Sequence, residues 1–430
     1  MYIAYSNFIK DLTEMRGIPL RTIMIFCVAL TIFLHVYADK KKIIVFISKG
    51  GGAHMSAAQA IKDYLAPEYD ISIINPFIEI TQPVDPIVWW TNGKSNCEDF
   101  FNSLNCSESM NSIRLLCKVG AICEGIIHNN IETLFENFFL KTKPDAVILV
   151  MPFFNGILYR VAQKLAIPFL IVSPELDTDN YCRNLYNPTY KNFFYCIPLD
   201  SPEVRSKFKQ AHIPDDRVKV VGFPTRASFL NNTYDVPALK KEFGLSDTVP
   251  VVSVLMGGAG SRALMRYAKR LAKMDFPLQV VFCVGKNEAI REKIESLPRD
   301  ARVSFTTVGF TDRMNDYMAV SDVLIAKPGP TGMIEALYSN LPLILDRTYK
   351  VMYTEYINID FVEKNEVGVA LRSMKHLKKT LKRFIFDTDY RHCIKDNIAC
   401  LELPDFKTNI RNLMKEIFAL PSSVSSLDCK

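Results

Sequence analysis

The sequence has few of the features that mark several large classes of protein. Its eleven cysteines form no C-x-x-C pair, so neither a zinc knuckle nor a disulfide framework is indicated, and the odd number fits a reducing compartment. The net charge is only +6, without a stripe of arginine and aromatic residues, which argues against a nucleic-acid partner. No G-x-x-x-x-G-K-[ST] stretch is present, which excludes a Walker-type nucleotide site.

The uncharged apolar run near the N-terminus is also shorter than the about 20 residues that a membrane-spanning helix requires. Within the N-terminal segment 1–38, residues 23–34 are twelve residues without a charge. The lysines at 40–42 follow on the far side, and the positive-inside rule would keep them in the cytoplasm. We therefore expect a membrane-associated protein whose catalytic domains face the cytoplasm. A cleaved signal sequence, or a true start at Met15 or Met24, remain alternatives to a retained anchor.

A chain of 430 residues is longer than one hydrophobic core usually supports, so two domains are expected. In the first half, an apolar strand at 42–48 is followed by a glycine loop at 50–54, a helical pattern at 56–65 and a second strand at 71–74. This β-α-β order predicts a parallel sheet. The second half repeats the order, with strands predicted at 250–256, 278–284, 303–308, 322–326 and 343–345.

A polar break at 222–234 separates the two α/β patterns. We accordingly predict an acceptor-side Rossmann-like domain at 39–226, a donor-side Rossmann-like domain at 227–400, and a C-terminal helix and tail at 401–430. The helical pattern at 371–386 carries six cations. It fits either a solvated surface helix or a helix that lies near anionic lipid.

Two loops have the composition that binds phosphate groups. In open α/β sheets, ligands bind beyond the carboxyl ends of the strands. The loops at 50–54 and 257–261 are glycine-rich and lead into helices, so bare backbone N–H groups and a helix dipole would favour a diphosphate. The G-x-G-x-x-G spacing is absent, and the second strand ends in Asn75 rather than an acid. An NAD enzyme is therefore disfavoured.

Five motifs, in order, carry a resemblance to a known family: SKGGGAHMSAA at 48–58, GFPTR at 222–226, MGGAGS at 256–261, VGKN at 284–287 and KPGPT at 327–331. Together they make residues 42–372 resemble the family that includes monogalactosyldiacylglycerol synthases, processive diacylglycerol glucosyltransferases and, more distantly, the peptidoglycan-precursor GlcNAc transferase. The resemblance implies an α/β protein of GT-B fold, in which two Rossmann-like parallel-sheet domains face each other across a cleft.

On the acceptor side, the resemblance implies two catalytic residues. His54 would face the cleft as a base or as a group that positions the acceptor, unless it only caps its helix. Glu175 stands where the family has a candidate aspartate base, and Asp177 is a second option.

On the donor side, the resemblance implies UDP-sugar-binding residues. The glycine loop would bind the diphosphate, Phe310 would lie against the uracil, Lys327 would supply positive charge, and Glu335 would accept hydrogen bonds from the ribose. Glu335 could instead be a surface carboxylate, Glu355 could pair with a nearby cation, and Arg226 could brace the hinge. The full set is Gly257, Gly258, Gly260, Ser261, Phe310, Lys327, Gly329, Thr331, Glu335, Glu355 and Asn358.

The implied activity is transfer of a hexosyl group from a UDP-sugar to a membrane lipid such as diacylglycerol, with no metal or other cofactor. The chain departs from the family pattern at Pro330, which replaces a glycine, and at Tyr356, which replaces an acidic residue. These changes leave a catalytically degenerate scaffold at the membrane as an alternative. A UDP-sugar epimerase is a further alternative because it shares the two-domain form.

Overall fold

The structure is a computed structural model that describes residues 40–50, 52–106, 128–182, 184–185, 188–230, 233–257 and 262–419. The apolar N-terminal segment, and the predicted diphosphate-binding residues Gly258, Gly260 and Ser261, lie outside these ranges. Within the described ranges, no helix combines the length and hydropathy that a bilayer-spanning segment needs.

The inner strands of the first of two parallel sheets are short, apolar and buried on both faces. Its strand order is β2-β1-β3-β4-β5-β6, so β1 pairs with both β2 and β3. Runs such as AVIL and FLIV, with no polar alternation, are typical of a sheet covered by helices on both sides. The strands are β1 (Lys42–Phe46), β2 (Asp70–Ile74), β3 (Ala146–Leu149), β4 (Phe169–Val172), β5 (Phe193–Ile197) and β6 (Val218–Val220).

The second sheet has the order β12-β11-β10-β7-β8-β9, and all of its pairs are parallel. Counted from its own first strand, this is the order 3-2-1-4-5-6 of a Rossmann fold, read from the other edge. The chain therefore reverses direction across the sheet between β7 and β10. The strands are β7 (Val251–Leu255), β8 (Leu278–Gly285), β9 (Val303–Gly309), β10 (Val323–Ala326), β11 (Leu343–Asp346) and β12 (Gly368–Leu371).

Helices connect the strands in both halves, which confirms the predicted α/β fold class. In the first half they are α1 (Ala53–Leu65), α2 (Pro76–Glu79), α3 (Pro86–Trp90), α4 (Cys97–Cys106), α5 (His128–Thr142), α6 (Asn155–Lys164), α7 (Asp179–Cys182) and α8 (Pro202–Gln210). The next are α9 (Val236–Glu242), α10 (Ala263–Leu271), α11 (Glu288–Glu295), α12 (Met314–Ala319), α13 (Pro330–Tyr338) and α14 (Tyr356–Lys364). The last are α15 (Leu377–Phe386), α16 (Thr388–Ala399) and α17 (Phe406–Ala419). Short 3₁₀ turns occupy Gln82–Val84, Asp215–Arg217, Ala227–Phe229, Tyr353–Glu355 and Met374–His376.

The C-terminal helix α17 returns to the first sheet. Phe406, Ile410 and Met414 are buried in the same apolar cluster as the inner faces of α1 and β1. The chain passes close to the linker on the way, because a Cβ on Gly222 would lie 2.2 Å from the carbonyl oxygen of Pro404. Gly222 also has φ +93, so both its conformation and its contact explain a glycine in the GFPTR segment.

On the donor side, α9 packs against the second sheet, since Leu239 and Val236 join the cluster of Val251, Val281 and Val308. The division after residue 226 stays a prediction.

The basic helix α15 packs its apolar face inward, and two of its lysines face one aspartate. Leu377, Leu381 and Phe384 are buried, whereas Lys378 and Lys382 lie 2.7 and 3.6 Å from carboxylate oxygens of Asp275. These contacts favour the interpretation as a solvated surface helix, because two of its lysines already share one carboxylate of the chain.

Candidate active site

Each sheet has one point where the order of its strands reverses, and a crevice lies between the two strands at that point. In the first sheet the crevice is at the carboxyl ends of β1 and β3, beside residues 47–50 and 150–154. In the second sheet it is at the carboxyl ends of β7 and β10, beside residue 257 and the loop 327–329. Open α/β sheets bind ligands at such points, so the topology places the predicted acceptor-side and donor-side loops at ligand-binding positions.

The first glycine loop is fixed by hydrogen bonds with two side chains of α4, a clamp that could not be predicted from the sequence. The buried carboxylate of Glu98, on α4, accepts a hydrogen bond from the backbone N–H of Lys49 and another, 2.6 Å long, from Nδ2 of Asn75. Asn102 Nδ2 donates to the Lys49 carbonyl at 3.2 Å, and Gly50 N donates to Ser48 Oγ at 2.8 Å. The α4 segment therefore fixes the loop from outside. No short-range signal points to this clamp, since its partners are far apart in the chain.

His54 is the second residue of α1, which begins earlier than the predicted helix. Its ring is buried, and neither nitrogen has a hydrogen-bond partner among the described residues. The alternative that His54 caps the helix is therefore wrong, since the start of α1 has no side-chain cap. Burial lowers the pKa of His54 to about 4, an effect that the backbone of Ser48 partly offsets. His54 is accordingly neutral at pH 7, with a free lone pair on one ring nitrogen.

Glu175 follows β4, and its Oε1 lies 3.9 Å from Nε2 of His54. Desolvation raises the pKa of Glu175 to about 8, and the negative charges of Asp177 and Glu355 add to this effect while Lys327 opposes it. At pH 7 the contact is therefore between a neutral imidazole and a largely protonated carboxyl group. Glu355 and Lys327 belong to the donor side, so their influence on Glu175 means that the two sides of the site lie close together.

Asp177, the second option, makes different contacts. It accepts a hydrogen bond from Asp179 N at 3.1 Å, and Lys207 Nζ lies 3.8 Å from its Oδ1. The carboxylate in contact with His54 is thus that of Glu175.

The second glycine loop makes room for a lysine. Gly257 has φ +92, and a Cβ on Gly257 or on Gly329 would lie 3.3 Å from Cε of Lys327. The two glycines therefore let Lys327 extend over the crevice between β7 and β10. Its Nζ lies 3.7 Å from Oε1 of Glu355, so Glu355 pairs with a cation, as one of the alternatives held.

Asn358 and Pro330 shape the loop between β10 and α13. Asn358 is buried, and its Nδ2 donates to the Pro328 carbonyl at 2.8 Å, so α14 fixes the position of the loop. Pro330 is the first residue of α13, where a backbone N–H would have no partner within the helix. The substitution of the family's glycine by Pro330 is therefore compatible with the helix, and Thr331 follows in its first turn.

Glu335 is buried inside α13, so the interpretation as a surface carboxylate is wrong. Arg226, from the end of the first half, donates from Nε and Nη2 to Oε1 of Glu335 at 3.0 and 2.7 Å. Burial raises the pKa of Glu335, and the charge and hydrogen bonds of Arg226 oppose that shift. Arg226 therefore bridges the two halves at the predicted ribose site, a contact that the sequence offered only as a brace for the hinge.

Phe310 lies directly after β9, at the carboxyl edge of the second sheet. Its ring is 72% exposed, and Lys286 Nζ lies 5.2 Å from the ring centroid. An exposed ring at this edge has a free face on which a base could stack. A further contact crosses the cleft, since Tyr353 donates from its hydroxyl to Asn180 Oδ1 at 3.2 Å.

Known proteins share these features. Residues 251–352 match the glycosyltransferase family 28 C-terminal domain. Monogalactosyldiacylglycerol synthase 1 of Arabidopsis thaliana is 24% identical over 424 residues, which cover 92% of this chain and 74% of the relative. Processive diacylglycerol beta-glucosyltransferase of Bacillus subtilis is 27% identical over 218 residues, which cover 50% of this chain and 55% of that enzyme.

Solved structures share the fold at low sequence identity. Acinetobacter baumannii MurG superimposes with a TM-score of 0.56 at 13% identity, over 87% of this chain and 99% of that one. Anabaena Alr3699/HepE, solved in complex with UDP-glucose, gives a TM-score of 0.51 at 14% identity, over 88% of this chain and 100% of that one.

The paired Rossmann-like sheets, with their facing crevices, and the matched domain define the class of the protein, a GT-B glycosyltransferase. Within that class, the chain is similar to monogalactosyldiacylglycerol synthases and processive diacylglycerol glucosyltransferases.

Proposed function

We propose that this glycosyltransferase moves a hexosyl group from a UDP-sugar to a lipid of the diacylglycerol class at a membrane surface. One observation carries the proposal. The His54–Glu175 pair of the first half lies within electrostatic reach of the Lys327–Glu355 pair of the second half. A group able to accept a proton and the cation of Lys327 therefore lie close together, as sugar transfer to a hydroxyl requires.

On the donor side, we assign the diphosphate to the crevice between β7 and β10. There Gly257 has no side chain of its own to block the backbone, and Lys327 brings a positive charge. As the bond between the sugar's anomeric carbon and the phosphate oxygen breaks, this charge would stabilise the leaving UDP. Lys327 and the backbone N–H groups would perform this task, and no metal ion is proposed for the step.

On the acceptor side, we assign the role of base to His54. The acceptor hydroxyl attacks the anomeric carbon, and its proton passes to the free lone pair of the imidazole. The resulting imidazolium would be disfavoured in a buried position unless a negative charge compensates it. Glu175, 3.9 Å away, supplies that charge when it is ionised.

The membrane part of the proposal has its own structural support. Trp89 and Trp90, on α3, are 66% and 78% exposed. The turn that presents them is rigid, because Asp85 accepts hydrogen bonds from Ile87 N and Cys97 N, and Trp89 Nε1 donates to the Pro83 carbonyl. Indole rings favour the interface between lipid and water, so we assign this turn to the membrane surface.

The relatives support the nature of the acceptor. The names of the Arabidopsis and Bacillus enzymes both specify diacylglycerol. In this chain, the apolar N-terminal run and the exposed tryptophans fit a substrate of that kind.

The test is UDP release by the full chain with diacylglycerol vesicles and UDP-glucose, UDP-galactose or UDP-GlcNAc in separate reactions. We expect release with at least one donor, and its loss in H54A and in E335A. Release that is no greater than in these two variants would contradict the proposal. For the membrane part, W89S/W90S should reduce sedimentation with the vesicles, whereas L140S, at a side chain that is 54% exposed on the same half, should not.

A further inference from the structure

The buried contact between Arg226 and Glu335 joins the two halves of the molecule. Arg226 belongs to the linker that follows the first sheet, whereas Glu335 lies in α13 of the second half. The side chain of Glu335 is 4% exposed and that of Arg226 is 24% exposed, so this is a largely desolvated pair. A buried carboxylate without a compensating charge would be costly, which makes the position of Arg226 matter to Glu335.

The geometry of the pair leaves one carboxylate oxygen available. Both hydrogen bonds from Arg226, at 3.0 and 2.7 Å, end on Oε1 of Glu335, and Oε2 receives none from the described residues. In a fork-to-fork pair, the two donors would take one oxygen each. Here Arg226 holds the carboxyl group by one oxygen, and the other can still accept a hydrogen bond from a ligand.

Arg226 is itself held in place by its surroundings. Its guanidinium carbon lies 4.9 Å from the centre of the Phe229 ring, in the turn that follows it. Glu335 lines a small cavity together with the neutral side chains of Ser56, Thr225 and Thr331. Among the described residues, Arg226 is the charged group that acts on the ionisation of Glu335.

We propose that Arg226 is a positioning residue for the donor nucleotide: it orients the Glu335 carboxylate so that Oε2 accepts a hydrogen bond from a ribose hydroxyl. The inference rests on the proposed function, since it takes the ligand of Glu335 to be the ribose of a uridine nucleotide. Arg226 itself touches no part of the nucleotide in this account. Recognition of the ribose therefore depends on a residue of the opposite half, and it is complete only when the two halves lie together.

The test compares UDP with 2′-deoxy-UDP by calorimetry on the full chain. We expect the wild type to bind UDP about tenfold more tightly, the usual effect of one hydrogen bond to a charged group. In R226M this preference should fall to about twofold or less, and in R226K it should be intermediate, because lysine keeps the charge but loses the fixed fork. E335Q should lose most of the preference, and R226M/E335Q should equal E335Q. R302M, which removes an exposed arginine–aspartate pair at the far end of β9, should keep the wild-type ratio.

The pH dependence of this preference is a second measurement, and it would not change if Arg226 had a purely structural role. Without Arg226, the pKa of Glu335 rises further, so the pH at which the preference is half lost should be higher in R226M. If R226M does not fold, as judged by circular dichroism, the ratio and midpoint of R226K decide in the same direction.

Three results would overturn the inference. Equal weakening of both nucleotides in R226M would mean that Arg226 contacts the diphosphate. Tighter UDP binding in R226M would mean that Arg226 competes with the nucleotide for Glu335. A wild type that binds no UDP would instead refute the proposed function, and the inference with it.

Discussion

The pH dependence of transfer follows from the contact between His54 and Glu175. If His54 accepts the proton and ionised Glu175 stabilises the imidazolium, the active form of the free enzyme carries Glu175 as a carboxylate. The pKa of Glu175 is raised to about 8, so roughly a tenth of the molecules are in this form at pH 7 and roughly nine-tenths at pH 9. We expect kcat/KM to rise about tenfold between pH 7 and pH 9.

The assay measures initial rates of UDP release at subsaturating acceptor, because kcat/KM reports the ionisation of the free enzyme. E175Q removes the ionisable group, so its rate should be low and should not rise over this interval. E175D keeps the charge but shortens the side chain, and its rate should still rise with pH. A wild-type profile that is flat from pH 7 to pH 9, or a rise that persists in E175Q, would refute the assignment.

Three further predictions concern stability. Burial lowers the pKa of His54 to about 4, so the folded protein keeps this residue neutral where the unfolded chain would protonate it. As the pH falls from 6.5 towards 4, the free energy of unfolding should therefore decrease by up to about 3 kcal/mol. H54N should lose less stability over that range. G222A should destabilise by more than about 2 kcal/mol in urea unfolding, because a Cβ would lie 2.2 Å from a backbone oxygen, whereas G244A, where nothing lies within 4 Å, should cost about 1 kcal/mol. I410A should cost about 2–5 kcal/mol by the same measurement, since Ile410 lies on the face of α17 that is fully buried against the first half. An effect below about 1 kcal/mol would mean that α17 does not pack there.

The parts of the fold that depend on local pattern were predictable from the sequence. Both sheets are built from short apolar runs followed by glycine-bearing loops, and the alternation of strand and helix predicts parallel pairing. The positions of Lys327 directly after β10, and of His54 in the helix that follows the loop after β1, follow from the same pattern, because the carboxyl ends of parallel strands face one side.

The parts that depend on contacts between distant segments were not predictable in this way. Hydrophobic pattern predicts α17 as a helix, but it does not say that this helix returns to the first sheet. Nothing near Glu98 in the sequence indicates that it holds the backbone of Lys49, and nothing near Glu335 indicates Arg226 as its partner. Such pairs are set by topology, which places residues together that the chain keeps far apart.

The pairing of Lys327 with Glu355 also shows how a structure refines a functional assignment. Both residues were assigned to the donor, with an ion pair as an alternative for Glu355. Their 3.7 Å separation shows that Lys327 and Glu355 form an ion pair. We infer that a bound diphosphate would compete with Glu355 for Lys327, so donor binding would rearrange this pair.

The most direct test of the central claim is mass spectrometry of the lipid product. The full chain is incubated with diacylglycerol vesicles and a UDP-hexose labelled with ¹³C in the sugar. The account predicts a labelled monohexosyl lipid that is formed by the wild type and is absent with H54A. UDP release without a labelled lipid, or no turnover with any of the three donors, would contradict it.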